Sequence, residues 1–268
     1  MILRKIKKAA KIALSFPSYI QQRNNIILVY TMGKVGSSTM YNTLKKHLPF
    51  TDIFHVHFLS TNWLEKILPE KPQMFHRNIN KGMHVLNHLS DNEQKRIKII
   101  SLVRDPFGRV VSDLFENWEA YFPNKPPNET KNDEILEKLK TSNLDYVLNW
   151  FETEFKNFTN FDVYHTPFDY QRGYTIYQNQ DFDFICFQLE KLNSCYNSAL
   201  KEFLKIDVPE LLNANVTRNK NTGDLAGQIK QLYTPQEELL SHVYSSKFMT
   251  HFYSPTQIKN FKNRWLSQ

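Results

Sequence analysis

At 268 residues, with 41% hydrophobic and 23% charged side chains, the chain has the make-up of a folded globular protein, and wholesale disorder is excluded. Its 2 cysteines exclude a disulfide framework and a four-cysteine zinc site, and no apolar run approaches the ~20 residues that cross a bilayer as a helix. The net charge of +7 is uneven: Arg4, Lys5, Lys7, Lys8 and Lys11 fall in the first fourteen residues with no acid among them, so the remainder is close to neutral and does not read as a nucleic-acid surface.

Residues 1–14, MILRKIKKAAKIAL, place Ile2, Ile6, Ala9, Ala10 and Ala13 at helical spacing with the lysines largely off that stripe. The interrupting lysines rule out a secretory signal. The segment reads either as a peripheral helix on anionic lipid or as a solvated basic tail. It divides the chain into a basic segment, 1–20, and a single α/β domain, 21–268. The expected location is the cytoplasm, at the inner membrane face if the segment binds lipid.

A buried strand, Ile26–Thr31, runs into Met32-Gly33-Lys34-Val35-Gly36-Ser37-Ser38-Thr39, and an amphipathic helix follows over 37–47. Two of the chain's 7 glycines lie in this turn, where glycine permits a tight bend and close approach of a ligand to backbone. Free N–H groups at a helix start suit an anion; Ser37, Ser38 and Thr39 add hydroxyl donors and Lys34 a mobile cation. Lys34 precedes Gly36, so this is not a Walker A loop, in which lysine follows the second glycine. An ordinary strand–turn–helix capped by serine is the competing reading.

The next strand, Ile53–Phe58, carries His55 and His57 on one face near its carboxyl end. Histidine has its ordinary pKa near neutrality and can act as a base. A zinc site would need a third ligand that the sequence does not name, and a purely structural role also stands. A helix is expected over 60–67; His84 and His88, four apart, could form a helical pair but read rather as loop or surface residues.

A third buried strand, Ile97–Val103, ends in Arg104-Asp105-Pro106, and a helix over 107–121 follows. Arginine at a strand tip can grip a phosphate bidentately, and Ser112 could donate to the same phosphate if the helix packs beside the tip. An Arg–Asp structural pair is the alternative. Beyond a polar loop, Pro123–Asp133, the pattern predicts helices over 132–157, 191–205, 234–247 and 255–265, and strands at Phe161–Tyr164 and Phe182–Phe187. Thr234-Pro235-Gln236-Glu237 and Ser254-Pro255-Thr256-Gln257 both read as capped helix starts. Strands alternating with helices imply a parallel, doubly wound sheet of about five strands, with ligands at the strands' carboxyl ends.

The loop at Lys34, Gly36, Ser37, Ser38 and Thr39, followed by Arg104 and Ser112, together resemble the sulfotransferase superfamily that uses 3′-phosphoadenosine 5′-phosphosulfate (PAPS). The stretches FDVYHTPFDYQRGYTIY, FDFICFQLEKLNSCYNSALKEFL, NANVTRNK and HFYSPTQIKNFKNRW look like its bacterial branch linked to capsular polysaccharide synthesis. Met32-Gly33 before Lys34 departs from the Pro or Arg-Ser of many relatives. The resemblance implies a P-loop-like fold, PAPS as donor and no metal. The 33–39 loop would bind the 5′-phosphosulfate, and Arg104 with Ser112 the 3′-phosphate. His55-x-His57 is similar to the heparan and chondroitin 2-O-sulfotransferases; on that likeness His57 is the base and His55 a helper. Arg218 and Lys220 would be extra phosphate contacts. The implied acceptor is a glycan or glycolipid, for which Trp63, Trp118, Tyr121 and Trp150 offer stacking faces or else fill the core. Two rivals remain: a P-loop kinase using ATP and Mg²⁺, with Asp105 as metal ligand, and a non-catalytic nucleotide-binding protein of capsule assembly.

Overall fold

The computed structural model describes residues 24–61, 73–142, 144–212 and 223–266. Five strands, β1 (Asn25–Tyr30), β2 (Asp52–Val56), β3 (Arg96–Val103), β4 (Tyr174–Gln178) and β5 (Phe182–Gln188), form one sheet in the order β2-β1-β3-β5-β4. All six residues of β1 are buried, because a central parallel strand is covered on both faces and needs no polar alternation. The first four strands of that order run parallel, whereas β4 is antiparallel to β5. The sheet is therefore mixed and not wholly parallel. The reason is the short Asn179–Asp181 link, in which the Asp181 N–H donates to Asn179 Oδ1 at 2.7 Å; so short a connection can only make a hairpin.

Helices flank both faces. On one, α1 (Ser37–His47) packs against β1 and β2, with Tyr41 beside His55. On the other, α2 (Gln73–Ser90) packs against β2, with His88 beside Phe54, and Phe155 meets Phe184 with ring centroids 4.6 Å apart. α3 (Pro106–Glu116) and α4 (Asn132–Lys140) follow β3. α5 (Asp145–Trp150) leads into a π turn, Phe151–Phe155, and a last α turn, Lys156–Thr159. The chain closes with α6 (Leu192–Leu204), α7 (Gly223–Leu232), α8 (Glu237–Ser245), α9 (Lys247–Phe252) and α10 (Pro255–Leu266).

Several expectations are corrected. The 107–121 helix breaks at Asn117, whose amide donates to Asp113 Oδ1 at 2.8 Å. The 132–157 helix breaks after Lys140, where Thr141 and Ser142 hydroxyls return to the Lys138 carbonyl and compete with the ladder. Phe161–Tyr164 is not a strand: the Asp162 carboxylate accepts from the Tyr164 N–H at 3.0 Å and caps a 3₁₀ turn. His84 and His88 lie on α2 as a helical pair and not in a loop; His84 is at the surface, and His88 meets Asp52 at 3.3 Å. Ser254 and Gln257 form the reciprocal cap expected of them, but α8 begins at Glu237 without Thr234. The basic segment and most of the 60–67 helix lie outside the described residues.

From β1 the chain crosses to β2 on one side and then to β3 on the other, so the order reverses between β1 and β3. In open α/β sheets ligands bind at such a switch point, beyond the carboxyl ends of the strands. The 31–36 loop leaves β1 there, and Arg104 leaves β3 there.

Candidate functional site

The loop is shaped by two left-handed residues. Lys34 has φ 72° and Gly36 φ 84°. A side chain at Gly36 would be strained, and its Cβ would stand 2.6 Å from Leu189 Cδ1. Gly36→Ala is expected to lower stability by about 1–3 kcal/mol, a fall of several degrees in Tm that a thermal melt reads directly. An unchanged melt would mean the loop has another conformation in solution.

Gly36 is also the N-cap of α1, and no side chain caps that helix end. The first intrahelical bond, Met40 N–H to Gly36 O, leaves the Ser37, Ser38 and Thr39 N–H groups at the uncapped end, which carries a partial positive charge and no acidic residue in its first turn. By contrast α3 is capped: Asp105 Oδ2 accepts from the Gly108 N–H at 3.0 Å.

His57 sits one residue past β2, at the end nearest the loop. Its Nδ1 is 2.7 Å from the Thr31 carbonyl oxygen. A carbonyl only accepts, so Nδ1 carries the proton and Nε2 of the neutral ring presents a lone pair. That Nε2 lies 4.0 Å from where a Gly33 Cβ would be. Burial pushes the His57 pKa down to about 4, with Lys34, Lys81 and Arg109 acting in the same direction and the Thr31 bond opposing them. The ring is thus neutral at pH 7 and able to accept a proton. His55 packs against it, ring centroids 4.9 Å apart, and its Nε2 meets Ser37 Oγ at 2.8 Å. Burial, then His57 and the nearby lysines, push the His55 pKa down to about 3.

Arg104 faces the loop from the other strand. Its Nη1 donates to the Lys34 carbonyl at 2.9 Å, and no carboxylate forms an ion pair with it among the described residues. Burial lowers its pKa, the nearby Glu190 and Asp105 carboxylates act the other way, and Lys230 on α7 feels its charge. The guanidinium lies over Gly108, 3.6 Å from the position a Cβ would take, and Ser112 stands one helical turn farther along that face. The neighbouring Asp105 is committed elsewhere: its oxygens also accept from Tyr244 OH at 2.7 Å and Trp265 Nε1 at 3.1 Å, tying α8 and α10 to the strand tip. These bonds give Asp105 a structural role and weaken its case as a metal ligand.

Four participants escape sequence reasoning. Arg109 donates from Nε to the Gly33 carbonyl at 3.2 Å and pairs with Asp113 at 3.2 Å. Glu116, two turns farther on the same helix, pairs with Lys34 Nζ at 3.1 Å. Lys81 on α2 lies 5.8 Å from the Tyr41 ring, beside His55. In sequence these three look like ordinary charges on solvated helix faces. Glu154 does carry a signal: it shares the apolar face of Phe151 and Phe155 and is only 1% exposed. Trp118 and Trp150 fill the core, while Tyr121 bonds Asp113 at 2.9 Å. Trp63, Arg218 and Lys220 lie outside the described residues.

A family model described as "putative capsular polysaccharide synthesis protein" (NKWYS) matches residues 127–254. No curated protein and no solved structure matches the chain. The matched stretch is similar to that family and links this part of the chain to capsular polysaccharide synthesis. It contains Glu154, β4, β5 and α6, and begins beyond the 33–39 loop, the histidines and Arg104. No helix among the described residues is long and apolar enough to cross a membrane.

Proposed function

We propose that the protein is a sulfotransferase of P-loop-like fold that moves a sulfuryl group from PAPS to a hydroxyl of a carbohydrate or glycolipid. The observation that carries this reading is Arg104, a buried guanidinium at the switch point that makes no direct ion pair among the described residues, next to an uncapped helix N-terminus. Burying this cation is costly, the Glu190 and Asp105 carboxylates offset part of that cost without a direct ion pair, and an anionic ligand would offset more. The capsular family match supports a glycan as the general acceptor class.

The donor groups present fit a ligand with phosphate at both ends. Arg104 and Ser112 would hold the 3′-phosphate. The N–H groups and hydroxyls of Ser37, Ser38 and Thr39, with the Gly33-Lys34-Val35-Gly36 backbone, would hold the 5′ end. PAPS, when bound, supplies an electrophilic sulfur that bonds the acceptor oxygen as the bridging S–O bond breaks, releasing adenosine 3′,5′-bisphosphate. His57 Nε2 takes the acceptor proton, since a hydroxyl is a poor nucleophile while it holds its hydrogen. Lys34 leaves Glu116 to neutralise charge on the leaving oxygen. His55 orients Ser37. The chemistry asked of the chain is positioning and electrostatic stabilisation. Arg218 and Lys220 are proposed as further phosphate contacts, and the basic segment over residues 1–14 would suit a membrane-attached acceptor.

The first test is thermal stabilisation by adenosine 3′,5′-bisphosphate, with 5′-AMP and Mg-ATP as controls. At 100 times its Kd the bisphosphate should add about 2.7 kcal/mol to the folded state. No shift, or a preference for Mg-ATP, overturns the donor assignment.

A further inference from the structure

We propose that Glu154 is the positioning residue for His57, an inference that rests on reading His57 as the base. The hydrogen bond from His57 Nδ1 to the Thr31 carbonyl selects which ring nitrogen is free, so both of its halves must be held in place. One oxygen holds both. Glu154 Oε1 accepts from Tyr30 OH at 2.7 Å, and Tyr30 is the residue before Thr31. The same oxygen accepts from the Leu59 N–H and, at 2.9 Å, from the Ser60 N–H, two and three residues past His57. The loop after β1 and the turn after β2 are thereby tied to a single atom. Their only other backbone link among the described residues is Thr31 N–H to Val56 O, at 3.2 Å.

The carboxylate reaches this place from the π turn at Phe151–Phe155, a local widening of the helix often found at functional sites. Trp150, Phe155 and Phe158 pack around the Tyr30 ring with centroids 5.1, 5.8 and 5.6 Å away, which stiffens the clamp. Burial raises the Glu154 pKa, and its three donors oppose that shift. Oε2 makes no hydrogen bond among the described residues, so an amide nitrogen can replace it.

The experiment compares Glu154→Ala and Glu154→Gln in the full chain by three readouts. These are the ring ¹⁵N shifts of His57, the affinity for adenosine 3′,5′-bisphosphate, and kcat. Alanine is expected to turn a single Nδ1–H tautomer into a mixture and to lower kcat by ~10², with bisphosphate affinity unchanged. Glutamine, which keeps Oε1, is expected to restore the single tautomer and most of the rate. An unchanged tautomer in the alanine variant, or bisphosphate affinity falling in step with kcat, overturns the proposal. Should alanine fail to fold, Tyr30→Phe removes one of the three donors and must still broaden the tautomer distribution; an unaltered spectrum there is equally fatal. A tautomer change in a protein that transfers no sulfuryl group would support the clamp and retire the transfer reading.

Discussion

His57→Ala is expected to lower kcat for sulfuryl transfer by ~10²–10⁴, the range for a positioned general base, with affinity for adenosine 3′,5′-bisphosphate preserved. The wild-type pH profile carries a second mark of the same residue. The reactive form is the neutral ring, whose pKa is held at about 4 against an ordinary 6.5. The kcat/KM of the free enzyme should therefore stay level from neutral pH down to about 5 and fall tenfold per unit below about 4. An acid limb near 6.5, or an alanine variant that keeps its rate, removes His57 from the role. The shift also bears on folding. From about 6.5 down to about 4 the unfolded chain binds a proton at this position that the folded chain refuses, so this histidine's contribution to stability declines with acid over that window.

Arg104→Ala should weaken adenosine 3′,5′-bisphosphate binding by ~10²-fold or more, the loss of two charge-assisted hydrogen bonds at 1.5–3 kcal/mol each setting the upper range. Arg104→Lys keeps the charge but loses the planar fork, and is expected to fall between the two. The unliganded melt separates binding from folding. Alanine removes a buried cation that makes no direct ion pair among the described residues; the desolvation cost it relieves is set against the lost pull of Glu190 and Asp105 and one lost hydrogen bond to the Lys34 carbonyl. The Tm without ligand should change little while the ligand-induced shift disappears. Titration calorimetry that returns wild-type affinity for the alanine variant would show that the anion does not bind at this strand tip.

Ser112→Ala belongs with these tests as a smaller effect on the same ligand. The Ser112 hydroxyl sits on the helical face that the Arg104 guanidinium covers, one turn beyond Gly108.

Much of the scaffold was legible because its signals are local. The apolar run before Gly33 marks β1, and the helix after Gly36 occupies Ser37–His47, where the pattern set it. Ser254 and Gln257 make the reciprocal cap that their spacing demands. β4 escaped because YTIYQ is a short edge strand whose apolar alternation is imperfect, and its partner comes from a hairpin only the folded sheet defines. The breaks at Asn117 and Thr141 escaped for another reason: polar side chains there outcompete the helix ladder by bonds that periodicity does not register.

The sequence by itself determined an α/β chain with a glycine-bent loop after its first strand, an arginine at a later strand tip, and two histidines on one strand face. Those are properties of residue type and short spacing. Only the tertiary structure decided that Lys34 pairs with Glu116, that Arg109 and Lys81 face the histidines, and that the His57 Nδ1 proton goes to Thr31. It alone set Glu154 beneath Tyr30 and the 59–60 backbone. Each of these depends on the sheet order, which sets the carboxyl ends of β2, β1 and β3 side by side and so brings together side chains from distant parts of the chain.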